Sequence, residues 1–140
     1  MLIDGFEFPE ELLYDPEKHI WVSLNENIAI IGITSLGQYL AGKIFQISVK
    51  EKGSIVTPRT IIFTIESAKW IGRFRLPVEG VVLEINEEVI KKPEIINKDP
   101  YKAWIIKIYV NNLNEFRNSL KKIHEVKKNF EDEIRRLTKI

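Results

Sequence analysis

Over the first 110 residues short apolar runs, mostly of period two, alternate with polar turns. Ile20 to Leu24 and Ile28 to Ile33 flank Asn25-Glu26-Asn27, which predicts a hairpin. Thr34 is placed to cap a helix over Ser35 to Ala41, and Gly42 to end it in the left-handed conformation that costs other residues more. Ile44 to Val49 alternates as a strand, Lys50-Glu51-Lys52-Gly53 turns, and Ser54-Ile55-Val56 resumes. Thr60 to Ile65 is dense in β-branched and aromatic residues. Beyond Lys69, Trp70, Gly72, Phe74 and Leu76 fall on one face, with Ile71, Arg73 and Arg75 on the other. Gly80 opens a strand over Val81 to Ile85. Asn86 to Lys98 reads as loop with a short helix starting near Pro93, and Trp104 to Val110 as the last strand. Trp21, Phe45 and Trp104 are expected in the core, and Trp70 and Phe74 on the buried face of their strand.

From Asn112 the period becomes helical. Phe116, Leu120, Ile123, Phe130, Ile134 and Leu137 are separated by three, four or seven, which predicts one long amphipathic helix or two short ones. The other face carries Arg117, Lys121, Lys122, Lys127, Lys128, Arg135, Arg136 and Lys139. A terminal helix docked through Phe116, Leu120 and Ile123, its basic face in solvent, is the plain reading. A docking surface for an acidic partner or a self-association helix is the alternative. Many short strands with brief helices predict a mainly β fold: two small antiparallel sheets packed face to face, with short helices and the C-terminal amphipathic helix. The chain divides into an N-terminal segment (1–13), a β domain (14–110) and a helical extension (111–140). Lys52-Gly53-Ser54-Ile55-Val56 and Glu79-Gly80-Val81-Val82-Leu83 echo one another across the middle of the chain.

Composition narrows the function without naming it. A length of 140 residues suits one domain with its own core. A net charge of +1, from 21 basic and 20 acidic side chains, points to no polyanionic partner, so partner choice falls to local patches. With no cysteine there is no disulfide framework, thiolate nucleophile or thiolate metal site, and redox chemistry has to be imported. The acidic start of the chain lacks the marks of a secretion or transit signal, and no run approaches the roughly 20 apolar residues of a membrane span. A cytoplasmic protein that binds no membrane is expected. Its Ile-rich, Lys/Glu-rich composition leans toward a thermophilic prokaryote.

The candidate chemistry lies at Ile65-Glu66-Ser67-Ala68-Lys69-Trp70. If the two flanking runs pair antiparallel, Glu66 to Lys69 form the connection and the Lys69 ammonium stands at a stiff tip, a handle for a prosthetic group. Tip lysines are also common solvated residues. Glu66 reads equally as an acidic mark for a modifying enzyme or as a solvated strand-end carboxylate. His19 and His124 have no metal-ligand spacing around them, and no phosphate loop or nucleophile elbow is present. No metal is expected. A nucleic-acid hairpin built on Lys69, Arg73, Arg75, Trp70 and Phe74 is disfavoured by the expected burial of both aromatics.

In order and spacing the chain resembles the H protein of the glycine cleavage system from about Tyr14 to Val110. The resemblance is carried by Tyr14 with His19-Ile20-Trp21-Val22, by Ile31-Gly32-Ile33-Thr34 with Gln38 and Gly42, and by Glu66-Ser67-Ala68-Lys69. It continues through Pro77 to Val82, Asn86-Glu87, Pro93 to Asn97, Asp99-Pro100-Tyr101 and Trp104. It implies the lipoyl/biotinyl-carrier type of sandwich and a non-catalytic protein. Lipoate is implied in amide linkage on Lys69, with Glu66, Ser67 and Ala68 recognised by a lipoate ligase or a lipoyl/octanoyl transferase. The arm ends in a cyclic disulfide that accepts cargo and is later reoxidised. The implied partners are glycine decarboxylase, aminomethyltransferase and dihydrolipoyl dehydrogenase, and the implied cargo is an aminomethyl group.

Some residues depart from the family pattern. Trp70 stands where a small residue is usual, Gly72-Arg73 replace a Ser-Asp-like pair, and Lys43 replaces an Asp. These shift the field near the arm from acidic toward basic and make Trp70 and Arg73 candidate partner contacts. The resemblance therefore leaves a second implication open, an H-like lipoyl protein carrying sulfur for enzymes of a heterodisulfide-reductase-like sulfur oxidation system. An unmodified interaction protein of the same fold is a third. A biotin carrier is disfavoured because the Met-Lys-Met surround is missing.

Overall fold

A computed structural model describes residues 1–138, so Lys139 of the expected basic face lies outside the described residues. In chain order the strands are β1 (Leu2–Ile3), β2 (Phe6–Glu7), β3 (Leu13–Asp15), β4 (Ile20–Asn25), β5 (Ile28–Ile33) and β6 (Ile44–Val49). They continue as β7 (Ile55–Val56), β8 (Phe63–Ser67), β9 (Trp70–Phe74), β10 (Gly80–Ile85), β11 (Ile106–Val110) and β12 (Lys121–Lys122). The helices are α1 (Ser35–Ala41), α2 (Glu87–Lys91), α3 (Ile95–Lys98), α4 (Leu113–Asn118) and α5 (Ile123–Thr138). A seven-stranded sheet runs β12-β3-β4-β5-β11-β10-β7 and a three-stranded one β6-β8-β9, every pairing antiparallel.

The two sheets share one core because their period-two patterns present Val22, Ile31, Ile106 and Ile108 from the larger and Ile47, Phe63, Ile65 and Phe74 from the smaller. Thr34 caps α1 as expected, its Oγ1 accepting from Gly37 N–H at 3.0 Å, and Gly42 ends it at φ +78°. The two echoing segments pair as neighbours, Gly80 with Val56 and Val81 with Ile55.

Several expectations are corrected. Phe45 is not core: it is the extra residue of a bulge between the pairs Ile44–Ser67 and Gln46–Glu66, which breaks the alternation and leaves its ring 56% exposed. Trp104 is only half-buried, its ring covered by the Lys107 ammonium at 4.5 Å from the centroid, whereas Trp21 is core. The segment after Asn86 holds two short helices, and α2 precedes Pro93.

The C-terminal segment is two helices with a turn of sheet between them. After α4, Lys121 and Lys122 pair with Tyr14 and Leu13, and Lys122 N–H then donates to the Glu125 carboxylate at the start of α5. Phe116 and Leu120 enter the main core. Ile123 instead joins Val126, Phe130 and Ile134 in a second core with Ile3, Phe8, Leu12 and Tyr14 of the chain's beginning. Phe130 stacks on Phe8 with ring centroids 4.4 Å apart. Tyr101 ties this layer to α1: its hydroxyl donates to Glu7 C=O and accepts from Ser35 N–H, and burial pushes its phenol above the ordinary value.

Candidate functional site

Lys69 sits in a two-residue hairpin connection. Ser67 and Trp70 are the closing pair, so only Ala68 and Lys69 turn, a shorter link than the four residues expected. Among the described residues neither turn residue needs a positive φ, and Lys69 is exposed with no ion pair to its ammonium. Its stem is not free of the protein. It crosses Gly42, where a Cβ would lie 2.8 Å from Lys69 Cε. That corner is clamped from below: Asn97 Nδ2 donates to Gly42 C=O (2.8 Å) and to Gln38 Oε1 (3.0 Å), while Asn97 Oδ1 accepts from Ile44 N–H (2.9 Å). A side chain at position 42 would meet both backbone strain and the lysine.

The neighbours of Lys69 have separate roles. Ser67 is 6% exposed and its hydroxyl donates to Trp70 C=O at 3.4 Å, so its side chain braces the turn from inside. Ala68 is exposed. Glu66 is half-buried on the opposite face of β8, level with Ile71 on one side and Gln46 on the other. No ion pair joins it to Lys69 among the described residues. Trp70 is not buried as expected. It is 42% exposed, because its ring lies flat over Gly72, where a Cβ would come within 2.1 Å of it, and meets Phe74 edge-on at 6.0 Å. Phe74 is core as expected, and Arg73 is exposed.

A groove of about 1090 Å³ opens beside the hairpin, with β9 as one wall. Phe6 of β2, Leu40 and Ala41 of α1 and Ile134 and Leu137 of α5 are among its other lining, and its charged lining is Glu17 against Lys18, Lys69, Arg73 and Arg75. Lys18 Nζ donates to Arg75 C=O at 2.6 Å. His19, held at φ +58°, bonds the Glu133 carboxylate at 3.0 Å and so fastens α5 across the end of the groove. Sequence reasoning missed this wall. Its one available signal was that Ile134 and Leu137 continue the apolar stripe of α5, which said they were covered but not by what.

A solvent-exposed primary amine on a rigid two-residue turn, its stem guided by a glycine corner and a large groove alongside, fits a long acyl group in amide linkage. The model of the glycine cleavage H-protein family matches residues 12–133. The chain belongs to that family. It is 54% identical to the probable glycine cleavage system H protein 3 of Saccharolobus solfataricus, over 99% of this chain and all of that one. The probable H protein 2 of the same organism is 40% identical, over 79% of this chain and 78% of that one. The crystal structure of an H protein from Mycobacterium marinum superposes with a TM-score of 0.73 at 22% identity, covering 87% of this chain and 98% of that one, which shows the shared fold. Membership makes this protein a carrier of the H-protein type and not a catalyst. Among the described residues no helix is long and apolar enough to cross a membrane.

Proposed function

We propose that this H-family protein carries lipoate in amide linkage on Lys69 and shuttles an aminomethyl cargo among the enzymes of glycine cleavage. The observation that supports it most is the amine of Lys69 at the end of the Ala68-Lys69 turn, exposed and without an ion pair among the described residues. Of Glu66, Ser67 and Ala68, the residues offered to a ligase or transferase, Ala68 is exposed beside the lysine, Glu66 is half-buried on the opposite face of β8 from Ser67, and Ser67 acts from inside by bracing the turn. Acylation would remove the ammonium charge, and the lipoyl group would supply a cyclic disulfide for a donor enzyme to open reductively, one sulfur bonding the cargo and the other becoming a thiol. This chain's own part is positional. The turn fixes the origin of the arm, Gly42 lets the stem lie flat, and the groove offers apolar shelter at the arm's root. Peptide mass mapping after expression with a working lipoate ligase tests this: one lipoyl group on Lys69 is expected, and an unmodified Lys69 sinks the reading.

One observation favours a second reading. Once Lys69 is neutralised, the charged lining of the groove is Lys18, Arg73 and Arg75 against Glu17, a rim that repels a cationic aminomethyl cargo and suits a neutral or anionic sulfur cargo. Glycine–bicarbonate exchange with purified glycine decarboxylase separates the two readings. Ordinary turnover, unimproved by Trp70→Ala, Gly72→Ser and Arg73→Asp together, keeps glycine cleavage. Turnover that is poor and rises with those substitutions favours the sulfur system.

A further inference from the structure

The three-stranded sheet ends on β9, and no strand among the described residues pairs with its far side. Because Ser67 and Trp70 close a two-residue turn, the alternation of an antiparallel ladder turns the backbone groups of Trp70, Gly72 and Phe74 toward β8. The bond from Ile62 N–H to Phe74 C=O, 2.9 Å, lies on that side. The N–H and C=O of Ile71 and Arg73 consequently face outward, and among the described residues no turn or loop bond reaches them. Sheet edges are commonly blunted by proline, by a bulge, by a covering element or by charged side chains, and here only the last is used, in Arg73, with Lys18 donating to Arg75 C=O at the far end. The pairing of β8 with β9 has no bulge and β9 no proline, and beside it lies the groove with Leu40, Trp70, Ile134 and Leu137 in its lining.

We propose that this edge is a docking strand. An extended segment of the enzyme that acylates Lys69 adds to β9, sets alternate apolar side chains into the groove and turns carboxylates toward Arg73 and Arg75. The proposal rests on the lipoyl-carrier reading and names how the carrier is gripped. Main-chain bonds of this kind give orientation together with affinity. Ile71 and Arg73 are two and four residues from Lys69, so at about 3.3 Å per residue the added strand ends within roughly 7–13 Å of the lysine backbone. A grip so close fixes the direction from which the amine enters the other enzyme's site. Charge selects the occupant. A second copy pairing edge to edge brings the arginines of two β9 strands together, which is unfavourable, whereas an acidic segment meets Arg73, Arg75 and Lys18 with opposite charge.

The test uses the full-length unlipoylated protein and a purified lipoate–protein ligase. Residue-resolved hydrogen exchange is expected to show Ile71 and Arg73 amides exchanging fast in the free protein and at least about tenfold slower in the complex. In steady-state acylation, Arg73→Pro removes the outward N–H at a position where an edge strand tolerates proline. It is expected to raise the KM for the carrier about tenfold with kcat nearly unchanged, because a partner carbonyl is left unpaired. Arg73→Thr keeps the N–H and loses only charge, so its smaller KM increase fades at high salt. If the proline variant does not fold, exchange on the unsubstituted protein decides. Acylation of Lys69 with Ile71 and Arg73 unprotected in the complex overturns the proposal. Protection that grows with protein concentration in the absence of ligase assigns the edge to a second copy and overturns it as well. No acylation of the unsubstituted protein removes the carrier reading itself, and this proposal with it.

Discussion

Two hairpins in this fold share a loop length and little else. In β4–β5 the closing pair is Asn25–Ile28, the turn is Glu26-Asn27, and Glu26 takes φ +54°. That hairpin is flanked by β3 and β11, and its tip is tied down: Asn27 Nδ2 donates to Val110 C=O at 2.9 Å, and Val110 N–H donates to Asn27 C=O at 2.7 Å. The β8–β9 hairpin needs no positive φ, has β6 on one side only, and presents an exposed residue on a bare edge beside a groove. A tip residue is therefore a poor guide to function by itself. What distinguishes the second hairpin is the unoccupied space around it, which is where a larger catalyst has to fit.

The comparison is broken most severely by moving the lysine. Lys69→Arg is expected to abolish acylation with an unchanged melting temperature, and adding Glu26→Lys, at the exposed tip of the other hairpin, is expected not to restore it; mass mapping reads both. Next in size is loss of the groove's far wall. Phe130→Ala removes the ring stacked on Phe8 and is expected to cost about 3–5 kcal/mol in denaturant unfolding, while the residual folded protein still acylates Lys69. A smaller effect is expected from Gly42→Ala. At φ +78° and ψ −159° Gly42 occupies a region all but reserved for glycine, where an L side chain costs about 1–3 kcal/mol, and the new Cβ pushes the lysine stem from its corner, so acylation slows as stability falls. The smallest change in stability is expected from Glu66→Ala, about 0–1 kcal/mol for a half-buried carboxylate without an ion pair among the described residues, and ligation is expected to slow more than the melting point moves. A large fall in stability with normal ligation would instead make Glu66 a structural residue.

Much of the sandwich was legible because its strands obey period two, and the Thr34 cap and Gly42 stop of α1 were written in residue types with few other uses. Phe45 was not legible. A bulge is set by register against a partner strand, and nothing in Ile44-Phe45-Gln46 announces it. Trp70 misled for a related reason: alternation placed it on the inner face, but the missing side chain of Gly72 gave its ring a flat seat near the surface. Within the N-terminal segment 1–13, Asp4-Gly5 is itself a hairpin signal, and it turns β1 into β2 with φ of 47° and 91°. At the site, the turn and its lysine followed from local sequence. The groove did not, since α1, β9 and α5 meet there from positions as distant as Leu40, Trp70 and Leu137. Such contacts leave no local trace.

The joining of the first residues to the last helix has a consequence for how the protein is read. Phe8 stacks on Phe130, and α5 brings Ile134 and Leu137 to the groove. The Ser67–Trp70 turn is local, but the sheet that carries it packs on Ile106 and Ile108 of β11 and its glycine corner is held by Asn97, and the groove beside it needs α5 as well. The berth is therefore a property of the whole fold, and an enzyme that reads the groove as well as the amine has the means to tell a folded molecule from an unfolded one.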